Sequence, residues 1–160
     1  MNISTNGIAL LRRLEGCSTV AYDDVAGLKT IGIGHLLTRS ELMSGRILIN
    51  GVRVRWADGL TGAQCDDLLR ADLVQTESDV TRLVHVPLAQ HQYDALVSFT
   101  FNVGGTAFRD STLRKRVNAG MLSDVPTQLR RWVYAGGQVV IGLKNRREWE
   151  VKMWEGEYHA

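Results

Sequence analysis

Residues 15–35 read EGCSTVAYDDVAGLKTIGIGH, and this stretch decides how the chain is organised. Upstream of it, Ile8, Leu11 and Leu14 recur at helical spacing, Ser4 or Thr5 supplies a cap, and Gly16 is placed to stop the helix, so Glu15 falls in its last turn. Within it, Tyr22, Asp23, Asp24 and Gly27 carry turn chemistry, and Lys29 to Ile33 is a β-branched segment, which predicts a small sheet. The pattern thus switches from helix to strand at Gly16.

Downstream, Ile47, Leu48 and Ile49 lead into Asn50-Gly51, a two-residue turn signal, after which Val52, Arg53, Val54 and Arg55 alternate. A second hairpin is expected there. Thr61 with Gln64 forms a capping box, and Leu69, Leu73, Val80 and Val84 then continue at helical spacing, predicting one long amphipathic helix. After Pro87, Gln90 to Val103 is apolar on nearly all sides, as in a helix at the centre of a core. Further helices are expected over Ser111–Ala119, Ser123–Ala135 and Leu143–Glu155, ended by Gly120, Gly136 and Gly156. Gly104-Gly105 reads as a helix end.

The composition fits a folded soluble domain: 160 residues, 44% hydrophobic and 22% charged, with two prolines. No window approaches the roughly 18 uninterrupted apolar residues of a membrane span, and Met1 to Leu14 lack a signal-peptide layout. Cys17 and Cys65, far apart in sequence, read as free thiols before they read as a bridge. Charge is uneven. Arg109 to Arg147 holds nine Lys or Arg against two Asp, in a chain of net charge +2. Such a basic segment suits a polyanionic partner, or equally a set of solvated helix faces. It carries no recognition-helix or stacking motif of a nucleic-acid binder.

Chemistry concentrates around Glu15. A carboxylate at a helix C-terminus faces the negative end of the helix dipole, which with partial burial favours its protonated form, as a general acid requires. Asp24, in a turn with solvent and free N–H groups, is placed to stay ionised. Glycoside hydrolysis uses such a pair, one carboxyl protonating the leaving oxygen and the other serving water or the sugar. Spacing alone would equally fit two surface carboxylates.

The pattern Glu15, eight residues, Asp24, five residues, Thr30 resembles that of the phage-type lysozymes. The resemblance extends through Glu15-Gly16-Cys17, Ala21-Tyr22 and Thr30-Ile31-Gly32-Ile33-Gly34-His35. It continues in Gln92 to Phe99, Phe101-Asn102-Val103-Gly104, Ser111-Thr112-Leu113, Arg131-Trp132 and Ala135-Gly136-Gly137. It covers nearly the whole chain in order, and the combination is far more specific than any one motif.

The resemblance implies an α+β, predominantly α, lysozyme-like fold. A small β-containing lobe at about residues 16–60 and a larger helical lobe, residues 61–160 with 1–15, would be joined by the long helix as one domain, with glycan bound between them. The implied activity is a muramidase (endolysin) cutting the β-1,4 bond between N-acetylmuramic acid and N-acetylglucosamine of peptidoglycan, with no metal or organic cofactor. Glu15 would protonate the departing oxygen, Asp24 would activate or orient water, and Thr30 would hold that water. Leu36, Phe101, Asn102 and Ser111 occupy positions resembling glycan contacts, though such residues at helical spacing also build cores. His35 is read as structural, paired with Asp72.

By the same resemblance, the enzyme would accumulate in the host cytoplasm as a monomer, without stable membrane insertion and without a nucleic-acid partner. It would reach the periplasmic wall through a separate, holin-type permeabilising protein. The Ile47 to Trp56 hairpin departs from the family pattern in length and apolarity. Competing readings are a lytic transglycosylase, which needs the acid but no water-activating carboxylate, and a non-catalytic wall-binding module, which needs neither.

Overall fold

The computed structural model describes residues 1–160, which divide into two compact units, residues 11–74 and residues 1–10 with 75–160. The mixture of a small sheet content with a helical majority agrees with the expected α+β, mainly α, class.

The unit of residues 11–74 opens with the last turn of α1 (Thr5–Glu15), which ends at Gly16 in a left-handed conformation. Three antiparallel strands follow in sequence order: β1 (Ser18–Asp23), β2 (Lys29–Gly32) and β3 (His35–Leu36). Helix α2 (Arg39–Ser44) leads into the hairpin β4 (Arg46–Ile49) and β5 (Val52–Arg55). Asn50 and Gly51 both have positive φ, the conformation a two-residue hairpin turn of this hand needs, and the pairing Ile49↔Val52 fixes the register. Helix α3 (Gly62–Asp72) starts at the Thr61–Gln64 capping box, with both reciprocal hydrogen bonds present. It buries Cys65, Leu68 and Leu69, and packs against β1, β2, β3 and β4. A methyl group at Gly32 would stand 3.5 Å from Leu68 Cδ2, so helix and strand lie close together. Each buried Leu or Ile of this interface contributes about 1.5–3 kcal/mol relative to exposure.

The other unit contains α4 (Val74–Leu83, from Gln75 on), α5 (Gln90–Val103), α6 (Gly105–Asp110), α7 (Thr112–Asn118), α8 (Val125–Arg130), the hairpin β6 (Tyr134–Ala135) and β7 (Gln138–Val139), and α9 (Ile141–Trp154). Tyr93 through Thr100 of α5 are all buried, as the apolar pattern predicted, and α9 packs along this helix. Phe99 makes edge-on contacts with Phe108 and Trp132. Residues 1–10 are tied in by Ser4, whose backbone N–H donates to Asp94 at 3.0 Å and whose hydroxyl also donates to that carboxylate. The same hydroxyl accepts from Gly7 N–H and caps α1, so Ser4 rather than Thr5 is the cap.

An ion cluster sits within this core. Glu150 is fully buried between Arg146, at 3.1 Å, and Arg147, and also accepts from Ser98 Oγ at 2.8 Å. Arg147 donates in addition to the Trp132 carbonyl and to Asn102 Oδ1, and lies over the Phe99 ring.

Four expectations need correction. The long helix after Thr61 is two helices: Leu73 between them keeps right-handed angles and its N–H still donates to the Leu69 carbonyl, but its ψ of −12° is flatter than an ideal helical turn. The buried residues of α3 serve the sheet unit and those of α4 the helical unit, and apolar spacing alone does not register the flattened turn between them. Consequently, the boundary expected near residue 60 falls after Val74, because α3 packs on the strands. The helix expected over Ser123–Ala135 stops at Arg130, since Gly136 and Gly137, both at positive φ, form a hairpin turn that draws Tyr134 and Ala135 into a strand. Helices α2 and α6 went unread, although Thr38, Glu41 and Gly45 mark the ends of α2: Thr38 Oγ1 accepts from Glu41 N–H, and Gly45 closes the helix at positive φ.

Candidate active site

Glu15 is the last residue of α1 and is half-buried. Its side chain lies against the β2–β3 turn: a methyl group on Gly34 would be 3.4 Å from Glu15 Oε2 and 3.8 Å from Cδ. Gly34 has φ +70°, so the turn both requires glycine conformationally and leaves room for the carboxyl. No sequence signal beyond the run Gly32-Ile33-Gly34 indicated this contact.

Asp24 stands between β1 and β2. Its Oδ1 accepts the N–H groups of Ala26, at 2.9 Å, and Leu28, at 2.8 Å, while its own N–H donates to the Leu28 carbonyl. Only Oδ1 is used, so Oδ2 remains available to a water or a sugar. Thr30 is 2% exposed, and its hydroxyl donates to the same Leu28 carbonyl at 3.0 Å. Its lone pairs are left to accept.

In register, Thr30 pairs with Tyr22 on β1 and with Leu36 on β3. Leu36, 49% exposed, therefore sits beside Thr30 at the surface of the sheet. Glu15, Asp24, Thr30 and Leu36 all belong to the unit of residues 11–74.

The remaining expected glycan contacts belong to the helical unit. Phe101 is half-buried on α5. Asn102 commits its side-chain oxygen to Arg147. Ser111 is buried, donates to the Phe108 carbonyl at 2.6 Å and accepts from Arg114 N–H as the cap of α7. With Trp132, Gln128 and Arg131 it lines a surface pocket of about 460 Å³. Helix geometry accounts for Ser111, and the ion cluster for Asn102.

His35 forms the expected bond with Asp72, Nδ1 to Oδ2 at 2.8 Å, and a second one with Glu41, Nε2 to Oε2 at 2.9 Å. Burial works against its charge, but the hydrogen bonds to Asp72 and Glu41 outweigh it and push the imidazole pKa up to about 9. Sequence reading missed Glu41 because it missed α2. Cys17, exposed, and Cys65, buried, are free thiols. Cys17 Sγ accepts from Arg12 Nη2 at 3.4 Å. No helix is long and apolar enough to cross a membrane.

Comparison with known proteins places this arrangement. Residues 12–150 match the family described as phage lysozyme. The chain is 37% identical over 147 residues to an endolysin of Salmonella phage P22, covering 92% of this chain and 94% of the relative. It is 38% identical over 144 residues to a SAR-endolysin of Escherichia phage Mu, covering 90% and 75%. Among solved structures, an endolysin of Escherichia coli O157:H7 phage FAHEc1 superposes with a TM-score of 0.83 at 33% identity, covering 100% of this chain and 98% of the other.

Proposed function

Since the chain belongs to the phage lysozyme family and is thereby a lysozyme of the endolysin type acting on the bacterial wall, we propose that it hydrolyses the β-1,4 bond between N-acetylmuramic acid and N-acetylglucosamine. What supports this reading above all is the anchoring of Asp24 and Thr30 on the backbone of one residue, Leu28, in the same compact unit as a half-buried Glu15 at a helix end.

In the proposed mechanism Glu15 donates its proton to the departing glycosidic oxygen. A water lies against Asp24 and Thr30. The Thr30 hydroxyl proton is already committed to Leu28, so Thr30 Oγ1 accepts one water hydrogen and Asp24 Oδ2 the other. That turns a water lone pair toward the sugar, where attack displaces the leaving group with inversion while Asp24 Oδ2 takes up the proton the water loses. Inversion asks for a Glu15 to Asp24 carboxyl separation of roughly 6.5–9.5 Å. Asp24 also stabilises positive charge developing on the ring.

Leu36, Phe101, Asn102 and Ser111 are proposed sugar contacts, the last two while keeping their structural bonds. We take residues 1–160 to act as one monomeric lysozyme domain without metal or organic cofactor. It is made in the host cytoplasm and passes to the wall through a lesion opened by a holin-type protein.

Mass spectrometry of fragments released from purified peptidoglycan by the wild type and by Glu15→Gln tests this. Reducible N-acetylmuramic acid ends from the wild type alone are expected. Anhydro-muramic ends would make it a transglycosylase, and absence of fragments would leave a binding module.

A further inference from the structure

The outward face of the β4–β5 hairpin carries three arginines, two of which meet no acid. Register sets Arg46 opposite Arg55 and Arg53 opposite Leu48, so three guanidiniums and a leucine that is 63% exposed share one face, while Ile47 and Ile49 are buried on the other. Like charges directly across an antiparallel pair repel, and a hairpin that keeps them sacrifices stability. Arg55 approaches Asp58 only at 3.9 Å. Arg46 and Arg53 make no ion pair. Instead they line, with Ser40, Ser44, Ile47 and Leu68, a pocket of about 430 Å³. The two carboxylates in its wall, Glu41 and Asp72, are both engaged by His35. The pocket therefore offers two uncommitted guanidinium forks beside apolar surface.

Its place relative to the candidate catalytic groups follows from three consecutive residues. Gly34 abuts Glu15, His35 lines the pocket, and Leu36 pairs with Thr30. Neighbouring positions on a strand face opposite ways, so the pocket lies across β3 from the Leu36 side.

We propose that this pocket binds a carboxylate of the stem peptide carried by the glycan strand, with Arg46 and Arg53 as its donors and the exposed Leu48 against the aliphatic part of the peptide. A guanidinium matches a carboxylate with two parallel hydrogen bonds, and stem peptides carry several carboxylates next to aliphatic residues. The concave form fits a peptide better than a bilayer, which is met by a protruding apolar edge. The proposal rests on the muramidase reading above, and assigns part of the substrate to the hairpin that departs from the family pattern.

The test compares peptide-bearing glycan strands with the same strands stripped of peptide by an amidase. For Arg46→Gln/Arg53→Gln, KM on peptide-bearing strands is expected to rise about tenfold, with kcat within about twofold and KM on stripped strands unmoved. N-acetylmuramyl tetrapeptide should shift the amide resonances of residues 46–53 in the wild type and not in the variant. Arg53→Gln alone, exposed on β5, should give a smaller change in the same direction, with a melting temperature like the wild type's. Equal KM changes on both strands, or equal peptide-induced shifts in wild type and variant, would overturn the proposal. So would arginine-dependent sedimentation with phosphatidylglycerol vesicles while both strands are cut alike. Failure of the muramidase reading itself would show separately, as a wild type that releases no reducing ends from stripped strands.

Discussion

Asp24 and Thr30 hold the same residue, Leu28, by its two backbone groups: Leu28 N–H donates to Asp24 Oδ1 at 2.8 Å, and the Leu28 carbonyl accepts from Thr30 Oγ1 at 3.0 Å. The β1–β2 turn and the proposed water site are therefore one construction. Thr30→Val, near in shape but without the hydroxyl, should cost about 1 kcal/mol of stability and lower kcat by about 10²-fold or more. Thermal melts read beside the release of reducing ends check it. A loss of activity no larger than the loss of folded protein would count against a water-holding role.

Gly34→Ala should act on the reaction through Glu15. The added methyl meets Oε2 at 3.4 Å, and φ +70° costs a non-glycine residue about 1 kcal/mol. Activity should fall well beyond what that modest destabilisation explains, in kcat more than in KM. Kinetics on soluble wall fragments at a temperature where both proteins are folded make the comparison.

Stability should decline at alkaline pH through His35. Its folded pKa of about 9 lies above the ordinary 6.5, so the stabilisation is complete below about pH 6.5 and disappears as pH rises through 9. Allowing for partial solvent screening, about 1–2 kcal/mol is at stake. Urea unfolding of wild type and His35→Gln should differ most near pH 6 and converge by pH 10. A constant difference would exclude His35 as the titrating group.

Glu150 has two buried arginine partners. Glu150→Ala removes a fully buried acid shared by two buried arginines in the core of the helical unit and should cost about 3–5 kcal/mol. Asn102 shares this network through Arg147, so Asn102→Ala is expected to destabilise as well, measurably by chemical denaturation.

The two thiols should report differently. Cys17 is exposed, whereas burial, aided by a hydrogen bond with Cys17, pushes the Cys65 thiol pKa up to about 11. An aromatic disulfide reagent at neutral pH should therefore titrate one thiol in the native protein and two in urea.

Much of this molecule was legible before any coordinates, wherever one local signal fixed the outcome. The Asn50-Gly51 hairpin, the Thr61 capping box, the all-round burial of α5 and the stop at Gly16 each follow from a few adjacent residues. Glu15, Asp24 and Thr30 were singled out as candidates by a pattern resembling that of a family, and the His35–Asp72 bond was anticipated. What escaped depends on distant partners or on fine backbone angles. The flattened turn at Leu73 leaves no trace in apolar periodicity. The contact of Gly34 with Glu15 joins a turn to a helix end that periodicity treats separately. The structural bonds of Asn102 to Arg147 and of Ser111 as the cap of α7 likewise join groups that no local pattern connects.

The division of the chain also sets an order of assembly. Residues 11–74 are contiguous, and Glu15, Asp24 and Thr30 all fall among them, so this unit has its own partners as soon as its last helix leaves the ribosome. The other unit joins the first ten residues to everything after position 74, and Ser4 must wait for Asp94, ninety positions later, before its cap is anchored. A nascent chain halted between the two would thus carry the whole candidate acid and water site with its N-terminal segment still unsecured, a species that protease sensitivity at residues 1–10 would reveal.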